Sequence, residues 1–355
     1  MTTLNFPNSP SVNDTYQFNN LVFVFDGTKW KVDGQLSYIQ DAIQFVRSGT
    51  QAERPTVSAP SLYYNTDLEG LEFYYPDIDT WEVVSTFAKQ VDPTQDSGQI
   101  AYTQAGTYSF VCPANVFQVH VVCVGGGGNG FLSTNGPNCG GGGGGLAWRN
   151  NISVTPGESY AVQVGGIGGS SWFINSSTVS GFGGTSAINS QTGGGAGGGF
   201  FTVIGPGGGG FGGRGGNSFS TPAGGGGAGG YTGNGGEGAI SAPSNSTGFA
   251  GTGGGAGGGG SSASTSQGSG RGGAGGGVGI LGAGSSGAGG TGGAQANRGG
   301  GGSGGQGGST FANGGLYGGG GAGSTTSVSV SGGGGAVRII WGPNRSFPST
   351  NTGDV

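Results

Sequence analysis

GGSGGQGGS, residues 301–309, places a residue other than glycine at every third position. The same phase is found upstream at Ala288, Thr291 and Ala294, of which Thr291 and Ala294 each follow two glycines. Two backbone structures repeat every three residues and demand glycine. Collagen needs an unbroken Gly-X-Y register with abundant proline. Here the register breaks often and proline is scarce, so collagen is excluded. The other structure is the polyglycine II bundle. Each segment takes the polyproline II backbone, about 3.1 Å per residue with no internal hydrogen bonds. Its N–H and C=O groups must then pair with neighbouring segments. Close approach forbids a Cβ wherever two segments face each other. An enclosed segment is therefore nearly all glycine, and a surface segment carries one outward side chain per turn. On this reading Ser303, Gln306 and Ser309 form an outward row. The runs at 140–144, 207–210 and 224–227 suit enclosed positions. Glycine loses more backbone entropy on folding than any other residue, so nearly every backbone group must be paired. Many short segments are expected, reversed at interruptions such as NGFLSTNGPN, SSWFINSSTVSGF, FFTVI, NSFSTPA and ISAPSNSTGFA.

All but eight of the 96 glycines fall within residues 125–335. That block contains six charged residues and neither Lys nor Asp. The chain thus joins two compositions and divides into at least two regions. Disorder normally brings charge and polar enrichment, whereas here Phe, Trp, Tyr, Ile and Val recur throughout. Strands at 107–124, read as a hairpin, and at 336–341 (AVRIIW) bracket the block. An insertion with both ends held in a sheet is a domain, not a tail. The net charge of −5 and the absence of a Lys/Arg run argue against nucleic-acid binding. No run of 18 apolar residues predicts a membrane span. The opening MTTLNFPNSPSVNDTYQF lacks the pattern of a secretory signal. Cys112, Cys123 and Cys139 form an odd, sparse set and read as buried free thiols.

The first hundred residues contain two similar β modules, assigned to 1–34 and 55–98. Each carries an aromatic strand (21–25; 71–75), a turn, and a closing strand with Trp30 or Trp81. Modules this small bury little core alone. Between them, at 35–54, Leu36, Ile39, Ile43 and Val46 repeat with helical spacing. They predict a short helix, either packed on its own module or forming a docking and oligomer seam in a homotrimer. A glycine-rich domain follows at 99–341, and 342–355 reads as a C-terminal tail.

No constellation for catalysis is evident. His120 is the single histidine and reads as a solvent-facing or interface residue. No phosphate-loop motif and no zinc spacing occur. The carboxylate pairs Asp67/Glu69 and Asp77/Asp79 lie in predicted turns. The expectation is a protein with no enzymatic activity, no metal and no cofactor. What remains is surface. Loops projecting from a rigid bundle carry Phe131, Leu132, Trp172, Phe173, Phe200, Phe201, Phe219, Tyr231, Phe249, Phe311 and Tyr317. Rings with Asn and Ser favour recognition of sugars or proteins.

The stretches GTYSFVCPANVFQVHVVCVGGGG, GGGGGLAWRNNISVTPGESYAVQVG and GGGGAVRIIWG resemble the glycine-rich domains of phage tail-fibre and adhesin proteins. The N-terminal modules and the end, AVRIIWGPNRSFPSTNTGDV, are similar to virion structural proteins of marine phages, including cyanophages. The resemblance covers most of the chain. It implies an all-β fold with polyglycine II, built as a layered sandwich whose loops select a host receptor. T-even adhesins of this kind are monomeric caps on a separate trimeric fibre. Here the modules precede the glycine domain in one chain, which favours a self-contained short fibre. The implied role is a virion protein docked through its N-terminal region. It binds a host glycan or outer-membrane protein non-covalently, without membrane insertion. The alternative is a purely structural capsid or neck fibre. An ice-binding role fits poorly, because the loops are long and aromatic.

Overall fold

In a computed structural model of the chain, the described residues are 7, 9–18, 21–32, 47–58, 61–67, 70–76, 79–86, 97–133, 138–188, 191–203, 205–241, 246–262, 271–292, 298–309, 313–325 and 330–349. Over these residues the chain is all-β, with four sheets and no α-helix. It divides into two units, Met1–Val91 and Asp92–Val355.

The first unit holds two small sheets. Strands β1 (Thr15–Phe18), β2 (Leu21–Phe25) and β3 (Trp30–Val32) form an antiparallel meander. Asp26 closes its turn by accepting the Thr28 and Lys29 amides, both at 2.9 Å. The second sheet pairs β4 (Arg47–Gly49) parallel to β5 (Ser61–Asn65), followed by β6 (Gly70–Tyr75) and β7 (Thr80–Thr86). Trp81 packs against Tyr63 and Tyr74. Glu72 is buried, pairs with Arg54 and accepts a hydrogen bond from Asn65 Nδ2. Leu36, Ile39, Ile43 and Val46 lie outside the described residues. The described end of the expected helical connector is β4 and a single 3-10 turn at Gln51–Glu53, not an α-helix. Arg47 to Gly49 pair with Tyr63 to Asn65, and these sheet bonds take the place of a helical ladder there.

The second unit is built on two five-stranded antiparallel sheets. In chain order its strands are β8 (Gly98–Tyr102), β9 (Gly106–Val111), β10 (Gln118–Val124), β11 (Leu146–Ser153), β12 (Ser159–Val164), β13 (Ser171–Phe173), β14 (Val179–Gly181), β15 (Phe200–Thr202), β16 (Gly207–Gly210) and β17 (Ala336–Trp341). One sheet runs β16-β11-β10-β17-β8 and the other β15-β14-β13-β12-β9. Residues 107–124 are therefore not a hairpin: β9 pairs with β12, and β10 with β11 and β17. The apolar faces explain this. Phe110 of β9 meets Val119 and Val121 of β10 across the core, so the two strands belong to facing sheets. Pairing of β10 with β17 brings the two ends of the glycine block side by side, with Val124 opposite Ala336.

The first sheet is covered on both faces. Val119, Val121, Cys123, Val337 and Ile339 face the second sheet, where Val162, Val164, Phe173 and Val179 meet them. Their alternates Val122, Val124, Leu146, Ala336 and Ile340 pack on Tyr231, Ala256, Val278 and Phe347. Alternation of period two thus supplies two cores from one sheet. Residues 342–349 are not a tail. Phe347 is buried and stacks on Tyr231, and Asn150 brackets its backbone with two hydrogen bonds. Arg338 is also buried, held by Gln99 and the Ile280 carbonyl.

Beyond the sheets the strands run on as glycine segments. β10 continues into 125–130, β14 into 182–188 and β16 into 211–217, while 140–145 leads into β11. In segment 140–145, Gly140 and Gly143 donate to Gly216 and Gly213, Gly141 and Gly144 to Gly321 and Gly318, and Gly142 and Gly145 to Thr185 and Phe182. The carbonyls accept with the same period. Gly140 and Gly143 take the amides of Gly195 and Gly198, Gly141 and Gly144 those of Gly226 and Gly229, Gly142 and Gly145 those of Gly128 and Gly125. One segment therefore bonds to six neighbours, and residues three apart address the same one. A strand in a sheet bonds to two. Segment 224–229 repeats the pattern, donating in pairs to 236–239, 273–276 and 141–144. The runs 140–144 and 224–227 are enclosed as expected. The run 207–210 is instead the edge strand β16, bonded to β11.

Candidate binding surface

Glycine fills the interior of this lattice, so larger side chains are displaced to its outside. Segment 211–217 reads FGGRGGN, and segment 234–240 reads NGGEGAI. Phe211 and Arg214 are exposed, as are Asn234, Glu237 and Ile240, while most of the residues between them are buried. The two segments run parallel, Gly235 donating to the Phe211 carbonyl and Gly238 to that of Arg214. On one flank lie 193–199 and 182–188, the latter exposing Phe182, Thr185 and Ile188. On the other, Phe249 donates its amide to the Glu237 carbonyl, and Thr252 to that of Asn234. The outcome is a face of parallel rows, one side chain per three residues. Phe211 and Phe249 are 54% and 62% exposed, so two large rings stand in water on a rigid support.

A second face lies on the outside of sheet β15-β14-β13-β12-β9. Phe173 and Val179 point into the core, so their neighbours Trp172 and Ser180 point out. Register places Gln163, Trp172, Ser180 and Phe201 in one cross-strand ladder. β13 ends in a sharp reversal. Ile174, a β-branched residue, sits at φ 66 and donates its amide to the Ala161 carbonyl at 2.8 Å. Such a residue in the left-handed region is costly. Here it folds β13 back on β14.

Several expected site residues fall elsewhere. Phe173 and Tyr231 are fully buried, one in each core, and offer no surface to a partner. Their rings supply burial that an interior rich in glycine lacks. Tyr317 packs half-buried against the core that contains Tyr231. Phe200 is half-buried against Phe211, with ring centroids 5.3 Å apart. Leu132 is exposed, in an isolated bridge with Ser324, and Phe131 beside it is half-buried. Phe219 is exposed beyond the end of segment 211–217. Phe311 lies outside the described residues. The opening stretch does not form one outward row either. Ser303 (φ 47) and Gly304 (φ 76) make a reversal closed by Gly305 N–H to the Gly302 carbonyl. Ser303 is buried, bonded to Gly254 and Gly284. Sequence reasoning missed Phe182, Phe211 and Ile240. The signal was available: FGGRGGN and NGGEGAI repeat the pattern of GGSGGQGGS with larger side chains.

His120 is buried rather than solvent-facing, and its Nδ1 accepts the Asn151 amide at 3.3 Å. The register shift between Val119 and Val121 places it there. Burial lowers its pKa, the Arg345 guanidinium lowers it further, and a hydrogen bond with Asn150 opposes both. The folded state therefore holds the imidazole neutral, while the unfolded chain titrates near about 6.5. Its contribution to stability is present above that value and is lost as pH falls below it. Denaturant titrations from neutral to mildly acidic pH should show the second unit weakening, and His120→Asn should flatten part of that slope. The three cysteines are free and buried, and burial raises each thiol pKa. Among the described residues no group of His, Cys, Asp and Glu is placed to hold a metal ion. Among them, no helix is long and apolar enough to cross a membrane. The two faces present rings, hydroxyls and amides, with the charged groups of Arg214 and Glu237 on the first. No protein-family model matches the chain, and no curated protein matches it.

Proposed function

We propose that the glycine lattice is a polyglycine II bundle and that the chain is a phage virion protein of the tail-fibre or adhesin type. The N-terminal unit docks it to the particle, and the glycine-rich unit binds a host surface receptor, a glycan or an outer-membrane protein, without covalent chemistry. A homotrimer joined through residues 36–46 belongs to the same reading. The observation that carries it is the set of exposed rings on the lattice, above all Phe211 and Phe249. Rigidity alone does not call for them. A stiff spacer is served by Ser, Thr or Asn at outward positions, whereas apolar groups clustered in water mark a contact surface. Hydrogen bonding of period three supports the polyglycine II assignment.

Adsorption competition tests the role. Purified chain incubated with host cells should block subsequent phage adsorption. The double variant Phe211→Ser, Phe249→Ser should lose the block, with its melting temperature lowered only by the loss of the Phe200–Phe211 ring contact. Failure of the folded chain to block, together with labelling at the capsid or neck, would replace adhesion with a structural fibre.

A further inference from the structure

The outer ladder of sheet β15-β14-β13-β12-β9 has a feature that packing does not explain. Ser180 lies between Trp172 and Phe201, in register with both. It is fully buried, and its hydroxyl has no hydrogen-bond partner. Alternation fixes its direction. Val179 enters the core, and a Cβ on Gly181 would meet the Cys123 and Gly145 carbonyls, so Ser180 between them points outward. It therefore sits on the floor between two rings, Trp172 half-buried and Phe201 40% exposed. An unmet buried hydroxyl is destabilising, and alanine would fill the same space without it. Gln163 extends the row. Its carbonyl accepts from Thr107 at 2.8 Å, and one amide hydrogen goes to the Val164 carbonyl, leaving the second available.

We propose that the Trp172–Ser180–Phe201 ladder is a binding subsite for a neutral saccharide. This deepens the receptor-binding role above and rests on it. The rings present faces of negative quadrupole to polarised C–H groups, and a pyranose offers such a face on one side and hydroxyls at its rim. Those hydroxyls supply the partner that Ser180 lacks, once the atoms that cover its oxygen move aside. Trp172 and Phe201 stand two strand spacings apart, about 10 Å, a span suited to a disaccharide. The ladder itself carries no charge, so it offers an acidic glycan no counter-ion. An apolar peptide would leave the Ser180 hydroxyl unmet.

The test uses the full chain and an array of neutral gluco-, galacto- and manno-configured oligosaccharides. One of them should bind and shift the indole N–H resonance of Trp172, assigned by its absence from the Trp172→Phe variant. Trp172→Ala and Phe201→Ala should each weaken that binding roughly tenfold, the loss of one ring contact. A bound sugar that leaves the Trp172 resonance unmoved overturns the subsite, as does a folded chain that binds no array member. The resonance reports on the native chain, so a variant that misfolds does not decide the result. If the chain blocks phage adsorption while neutral sugars and Trp172→Ala leave the block intact, adhesion stands and this subsite falls. If sugar binds at Trp172 but host cells are not bound, the subsite stands and the adhesin role falls.

Discussion

Replacing Gly143 by alanine is expected to destabilise the glycine-rich unit severely, while Gly334→Ala leaves it intact. A Cβ built on Gly143 lands on the Gly227 carbonyl oxygen, well inside the 3.0 Å below which such contacts essentially do not occur. Relief requires movement of 224–229, and that segment is itself bonded to 141–144, 236–239 and 273–276. A strand displaced at a sheet edge loses one set of bonds. Here a displacement disturbs several sets at once. The expected loss exceeds about 4 kcal/mol, in the range reserved for breakage of a buried network. At about 2–4 °C per kcal/mol for a unit of this size, the melting temperature falls by roughly 10 °C, if soluble protein is obtained at all. Gly334 belongs to a run of the same composition, yet a Cβ there meets nothing within 4 Å. Alanine at that site removes unfolded-chain freedom and should be neutral or stabilising by about 0.4–1 kcal/mol. Equal destabilisation of both variants would mean that glycine acts here through chain flexibility and not through close approach.

The second large effect is expected at Tyr231. Its ring is fully buried, stacked on Phe347 at a centroid distance of 5.9 Å. Its hydroxyl donates to the Gly279 carbonyl at 3.2 Å and accepts the Gly282 amide at 3.1 Å. Trp148 Nε1 donates to its backbone carbonyl. Tyr231→Ala removes one of the few large side chains in the second core and should cost about 3–5 kcal/mol. Tyr231→Phe keeps the ring but leaves the Gly282 amide without its acceptor, for about 1–3 kcal/mol. Chemical denaturation gives both values. Binding to host cells, measured below the melting temperature, should be unchanged in Tyr231→Phe. A loss of binding with full stability would instead place Tyr231 at the receptor contact.

The outward rows show how far the residues alone carry the reading. FGGRGGN and NGGEGAI announce their exposed positions through spacing, because a backbone of period three sends every third side chain the same way. Tyr231 carries no such mark. YTGNGG reads like any interruption between glycine runs. Its burial follows from the second face of the sheet, where Val122, Val124 and Ile340 needed cover. Phe173 is similar. Trp172 and Phe173 are adjacent in sequence, and only the pairing of β13 with β12 and β14 sends one outward and the other into the core.

By itself the sequence determined the all-β character of the described residues and a glycine block with a strand at each end. These follow from local chemistry: side-chain period, turn residues, and the exclusion of Cβ atoms from close backbone contacts. The tertiary structure alone decided that β9 and β10 lie in facing sheets and that residues 342–349 close a core. It also decided which six neighbours segment 140–145 meets. Glycine has no side chain with which to specify a partner, so its hydrogen bonds are equally good with any other glycine segment. The choice falls to the strands at the segment ends, whose cores fix where each segment enters the lattice.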